Sequence, residues 1–111
     1  MEESILDTSE LIELRKAGQL GIDGYSTIFN FIEFPKAAEF ERLKVLYPTK
    51  EDYDTALVWS ASLLRRGKPV PAIDLLISAV AARTRLQLVT RDPHFREIKA
   101  IAKGFTVQIK H

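Results

Sequence analysis

Residues 71–102 read PAIDLLISAVAARTRLQLVTRDPHFREIKAIA, and the change of pattern along them decides the fold. From Pro71 to Thr84 the stretch is apolar almost all round, with a proline suited to a first helical turn. Leu86 to Thr90 (LQLVT) is short, apolar and β-branched, which predicts a strand. Pro93 opens another helical stretch, 93–102, and Gly104 suits a left-handed helix end. A strand held between two helices predicts a crossover connection on each side.

The same alternation extends outward. Ser4-Ile5-Leu6, Leu43 to Tyr47 (LKVLY, stopped by Pro48) and Phe105 to Ile109 (FTVQI) are further strand candidates. Helical stretches are predicted over about 9–17, closed by Gly18, over 26–42, and over 50–66, closed by Gly67. A proline inside a helix costs roughly 3 kcal/mol, so Pro35 should kink or break the second of these. The segment Gly18 to Gly24 (GQLGIDG) holds three glycines and little apolar content, which predicts a mobile loop at the edge of any site. Strands alternating with helices give an α/β class: a mostly parallel sheet of about four to five strands with helices on both faces.

The 111 residues, 46% of them hydrophobic, suit a single domain spanning 1–111 with one core. The absence of cysteine excludes disulfides, thiolate metal sites and cysteine nucleophiles. The acidic opening Met1-Glu2-Glu3-Ser4 is unlike a secretory signal, and no apolar window is long enough to span a bilayer; a soluble, cytoplasmic protein is expected. Net charge is only +1, but residues 1–56 carry −6 and residues 57–111 carry +7. Such two-sidedness fits either an anionic ligand on the basic half or a self-complementary fold or dimer.

Four of the 15 acidic residues resist explanation as solvated surface. Asp7 follows the first strand in Leu6-Asp7-Thr8-Ser9, and Asp92 follows Val89-Thr90-Arg91. Ligands of open parallel sheets bind outside the carboxyl ends of strands, so both acids should face one crevice if their strands are neighbours; alternatively each caps the following helix. Asp74 lies in an apolar, buried helix, on a narrow stripe with Ser78 and Ala81 at 100° per residue. It either faces open space beside those small residues or complements the helix dipole. Glu33 shares an i, i+4, i+7 stripe with Ser26 and Asn30 and taken alone is the polar face of an amphipathic helix. Brought together, such acids would repel and raise one another's proton affinity unless divalent cations lay between them, and all-oxygen donors suit Mg²⁺ or Mn²⁺.

LDTS at 6–9, FNFIEF at 29–34, GKPVPAIDLLISAVA at 67–81 and LVTRDPHF at 88–95 together resemble the PIN-domain ribonucleases, most closely the VapC-type toxins of prokaryotic toxin–antitoxin pairs. The resemblance covers nearly the whole chain. It implies that Asp7, Glu33, Asp74 and Asp92 form the family's acidic quartet, at once catalytic and metal-binding, supported by Thr8 and Thr90. It implies a Mg²⁺- or Mn²⁺-dependent endoribonuclease that hydrolyses RNA phosphodiesters by an activated water. Arg85 and Arg91 would neutralise flanking phosphates; Arg65, Arg66 and Lys68 are better explained as ordinary surface cations. Expected partners are RNA, a small VapB-type antitoxin and a second copy of the chain in a homodimer, with no membrane. The chain is short for the type, its 18–25 segment is abbreviated, and His94 stands where many relatives add an acid. His94 as a general base is a lesser expectation.

Two other readings share the scaffold. One is a non-catalytic RNA- or protein-binding module, the other a PIN nuclease acting in rRNA processing or on flap DNA. Tyr53 and Trp59 have core-like spacing on the 50–66 helix, which predicts packing rather than base stacking.

Overall fold

A computed structural model describes residues 3–111; Met1 and Glu2, part of the acidic opening, lie outside the described residues. Its strands are β1 (Ser4–Leu6), β2 (Asp23–Thr27), β3 (Arg42–Leu46), β4 (Gln87–Thr90) and β5 (Val107–Ile109). Its helices are α1 (Thr8–Lys16), α2 (Ile28–Glu33), α3 (Lys50–Arg65), α4 (Ala72–Thr84) and α5 (Phe95–Ile101), with a 3₁₀ helix over Pro35–Glu39. All strands run parallel in the order β3-β2-β1-β4-β5. The expected α/β class and helix-flanked parallel sheet are therefore observed.

Successive residues of the central strands explain why both faces are covered. Ile5 and Leu88, paired in register, point into a cluster with Leu63, Leu75, Ile77, Phe95 and Phe105, supplied by α3, α4, α5 and the approach to β5. Their neighbours Leu6 and Val89, also paired, point the other way onto Leu11, Ala37 and Phe40, from α1 and the 3₁₀ region. Side chains alternate across a strand, so a sheet buried on both sides must be apolar at consecutive positions. The central location of β1 sets the site, because Asp7 is the first residue beyond it and β4 is its neighbour.

The chief departure from the sequence pattern is β2. The segment expected as a loop over 18–24 and as helix from 26 contains a strand fully paired with β3, from Asp23 with Arg42 to Thr27 with Leu46. Its inward side chains are polar, which hid it: Ser26 and Thr27 are wholly buried, and the Ser26 hydroxyl donates to the Leu6 carbonyl at 2.6 Å. Gly24 is required by close approach, since a Cβ there would lie 3.2 Å from the Ser4 carbonyl oxygen. The helix starts only at Ile28, where Thr27 and Asn30 form a capping box, and Pro35 ends the α-helical course as expected.

At α3, Thr49 and Asp52 form a second capping box, and the buried Asp52 also accepts both carboxylate contacts from Arg83 of α4, at 2.9 and 3.0 Å. Trp59 packs against the main cluster as predicted, but Tyr53 is 51% exposed and does not. Gly18 and Gly67 directly follow the C-caps of α1 and α3 with φ of 71° and 70°, matching the left-handed ends that the sequence predicts, whereas α5 ends on extended Ala102 and Gly104, with φ 83°, lies in the turn beyond it. No helix among the described residues is long and apolar enough to cross a membrane.

Candidate metal centre

The carboxyl ends of β1 and β4 deliver Asp7 and Asp92 to one cleft of about 290 Å³, lined by Asp7, Thr8, Ser9, Ile12, Glu33, Asp74 and Asp92. Four elements contribute: the β1–α1 turn, the end of α2, the first turn of α4, and the β4–α5 loop. A larger cleft of about 360 Å³ lies against α1 and β5, but it gathers only Glu10, Asp23 and Lys110 as charged groups. Chemistry, not volume, singles out the smaller one.

Asp7 stands at the N-cap position of α1 yet makes no capping bond with its side chain. Its carboxylate is instead held from both sides. Oδ1 accepts from Asn30 Nδ2 at 2.9 Å, and Oδ2 accepts from Thr90 Oγ1 at 2.6 Å and Ser9 Oγ at 3.4 Å. Thr90 Oγ1 in turn accepts from the Asp92 backbone N–H at 3.1 Å, and Ser9 Oγ accepts from the Arg91 N–H at 2.9 Å. These bonds tie the first turn of α1 to the end of β4. Thr8 donates to Glu33 Oε1 at 2.8 Å, linking the fourth acid to the same turn. Asp92 Oδ1 accepts from the His94 N–H at 2.9 Å and lies 3.3 Å from His94 Nδ1.

Asp74 carries the electrostatic signature of the cluster. Burial first, then the negative charges of Asp7, Asp92 and Glu33, push its carboxyl from 3.8 up to about 6, against a smaller opposing effect from His94. Potential ligand atoms of Asp74, Asp92 and His94 lie within 4.8 Å of one another. Mutually repelling carboxylates around a cleft, one of them reluctant to ionise, fit a divalent cation better than they fit solvent. An imidazole beside them adds a nitrogen donor that the all-oxygen expectation did not contain.

The structure thus brings Asp7, Glu33, Asp74 and Asp92 together, with Thr8 and Thr90 bonded among them. It does not bring in Arg85, which ends α4 at φ 59° just before β4 and so lies at the amino edge of the sheet, opposite the cleft. Arg91 adjoins the site through its main chain, while its guanidinium turns away to Glu10 at 2.9 Å and to the His111 carbonyl at 3.1 Å. Lys68 is paired with Glu97 of α5 at 3.6 Å and does not line the cleft.

Two residues escape detection in the sequence. Asn30 is wholly buried and fully satisfied: its Nδ2 serves Asp7 and Thr8, and its Oδ1 accepts from Thr27 N at 3.1 Å and Thr27 Oγ1 at 2.6 Å. Donors on one side and a carboxylate on the other fix its amide orientation. As the chain's sole asparagine, set between two phenylalanines, it offered a faint signal. Glu10, 2% exposed, is neutralised by Arg91 and Lys110, partners 81 and 100 residues distant that no local pattern reveals.

A search of the curated proteins matched none. The fold is similar to several solved structures along nearly their whole length. A DNA-bound VapBC from Salmonella typhimurium matches at 21% identity and TM-score 0.71, covering 98% of each chain. VapBC-1 from nontypeable Haemophilus influenzae matches at 22% and 0.73, covering 96% of each. VapBC-5 from Mycobacterium tuberculosis matches at 23% and 0.67, covering 98% of each. The family model of the PIN domain matches residues 30–101, which hold three of the four acids and both elements that flank β4, and the chain therefore belongs to the PIN domain family.

Proposed function

We propose that this chain is a divalent-metal-dependent endoribonuclease, the toxin of a VapBC-type toxin–antitoxin pair. The observation that carries the nuclease reading is the convergence of Asp7, Glu33, Asp74 and Asp92 on one cleft, with Asp74 raised to about 6 by burial first and then by the charges of the other three. The fold likeness to VapBC structures supports the toxin assignment and a small VapB-type antitoxin as partner; a homodimer belongs to the same proposal.

Asp74 and Asp92 would hold the cation, with His94 at its edge, while Asp7 and Glu33 complete the charge around it. Mg²⁺ and Mn²⁺ both suit carboxylate donors, and the imidazole tilts the choice toward Mn²⁺. A bound divalent ion supplies a nucleophilic water at neutral pH and offsets charge on the phosphate being cleaved. The protein's own contribution is geometric. Asn30, Ser9 and Thr90 fix the direction of the Asp7 oxygens, and Thr8 does the same for Glu33. Asp92 and His94, joined at 3.3 Å, offer a proton acceptor at the cleft mouth.

Asp7→Asn and Asp92→Asn each should lower Mn²⁺-dependent RNA cleavage by at least about a thousandfold, since each removes a charge on which the ion and transition state depend. Circular dichroism should show the fold retained. Cleavage at the wild-type rate by either folded variant would end the proposal. A folded wild type that binds no Mn²⁺ in calorimetric titration would instead assign the chain to the non-catalytic scaffold reading.

A further inference from the structure

Glu10 is a charge in a place where an aliphatic side chain would fit. It is buried on α1 one turn before Leu14, on the helix face that looks onto Leu6 and Val89 of the sheet. Two cations must be brought to its carboxylate: Arg91 Nε donates at 2.9 Å and Lys110 Nζ at 2.6 Å. A buried ion pair returns little more than the cost of desolvating it, so stability alone is a poor reason for one. Its best-attested use is to hold one arrangement among several.

The arrangement held here is that of Thr90-Arg91-Asp92. Consecutive residues of α1 grip Arg91 at two points: Ser9 Oγ accepts from its main-chain N–H at 2.9 Å, and Glu10 takes its guanidinium. From the other side, Lys110 N–H donates to the Thr90 carbonyl at 2.8 Å, and the His111 carbonyl accepts from Arg91 Nη1 at 3.1 Å. Thr90 and Asp92, the residues on either side of Arg91, both belong to the acidic cleft: Thr90 Oγ1 donates to Asp7, and Asp92 lines the wall. Glu10 itself is not among the residues that line that cleft; it faces the separate one of about 360 Å³ against α1 and β5. A contact behind the cleft therefore sets where Asp92 stands relative to Asp7.

We propose that Glu10, acting through Arg91 and Lys110, is a positioning residue of the metal centre, and that Arg91 serves this clamp rather than a phosphate. The proposal rests on the metal-binding reading of the cleft and adds to it three residues that neither touch the cation nor line its site.

The test compares two measurements on the full chain: backbone amide exchange by NMR without metal, and Mn²⁺ affinity by calorimetric titration. In Glu10→Leu/Arg91→Leu/Lys110→Met all three charges are removed together, so none is left buried without a partner, and the urea midpoint should be no lower than that of wild type. The same variant should nonetheless exchange the Arg91 and Asp92 amides at least about tenfold faster and bind Mn²⁺ at least about tenfold more weakly. Should it fail to fold, Glu10→Ala is set against Asp52→Ala, an expected loss of stability of similar size remote from the cleft. The two amides should quicken at least about tenfold more in Glu10→Ala, and Arg91→Lys, which keeps the charge but not the fork, should resemble it. A folded triple variant with wild-type Mn²⁺ affinity overturns the proposal and leaves the metal centre standing. So does equal exchange in Glu10→Ala and Asp52→Ala. A wild type that binds no Mn²⁺ overturns the metal centre and this role with it, which distinguishes the two failures.

Discussion

Replacing Asp74 by asparagine should stabilise the metal-free protein, and the size of the gain follows from the site's electrostatics. In the folded chain the Asp74 carboxyl ionises near 6 rather than near 3.8. As pH rises past 3.8 the unfolded chain releases this proton while the folded chain keeps it, so stability falls progressively until about 6 and stays reduced above. At about 1.4 kcal/mol per pH unit the full penalty is about 3 kcal/mol, and partial exposure of the side chain reduces it to about 1.5 kcal/mol. Asparagine is nearly the same shape and cannot ionise. Asp74→Asn should therefore raise the melting temperature by about 6 °C at pH 7.5 in EDTA, and by about 2 °C or less at pH 4. Thermal unfolding followed by circular dichroism reads both. Saturating Mn²⁺ should reverse the order, stabilising the wild type more than the variant, since the ion is then what balances the charges. A variant no more stable than wild type at pH 7.5 without metal, or a gain equal at both pH values, would refute the claim that burial and carboxylate repulsion together strain this cleft.

Asn30→Ala should weaken Mn²⁺ binding by about 10- to 100-fold in calorimetry by freeing Asp7, although Asn30 touches no metal itself; unchanged affinity would deny it the positioning role. Glu10→Ala strands Arg91 and Lys110 around an emptied buried site and should cost about 3 kcal/mol in urea unfolding, with Glu10→Gln recovering part of it. Asp52→Ala removes both the α3 cap and the Arg83 pair and should cost about 2–4 kcal/mol by the same measure, with Mn²⁺ affinity unaffected because the residue is remote from the cleft.

What was legible in the sequence follows physical lines. The α4–β4–α5 course could be read because its hydrophobic pattern changes abruptly, and because prolines and glycines mark the joints. β2 could not, since a buried strand whose inward groups are Ser26 and Thr27 has the composition of a loop; their hydrogen bonds are formed only once Leu6 and Asn30 are in place. The acids announced themselves differently. Asp7 and Asp92 stood at strand ends and Asp74 on an apolar helix, but Glu33 gained meaning only from the family pattern. Arg85 misled because closeness to Arg91 in sequence conceals that β4 carries the chain from one edge of the sheet to the other. Glu10 and Asn30 depend on partners too distant in sequence for any local pattern to register.

The pairing of Leu6 with Val89 joins the first strand to one completed more than three quarters of the way along the chain. Synthesis from the amino end therefore yields Asp7 early but leaves it without Thr90 or Asp92 until nearly the entire polypeptide has left the ribosome. A nascent chain that stops short of β4 therefore carries Asp7, Glu33 and Asp74 without Asp92, and the acidic cleft closes only as synthesis ends.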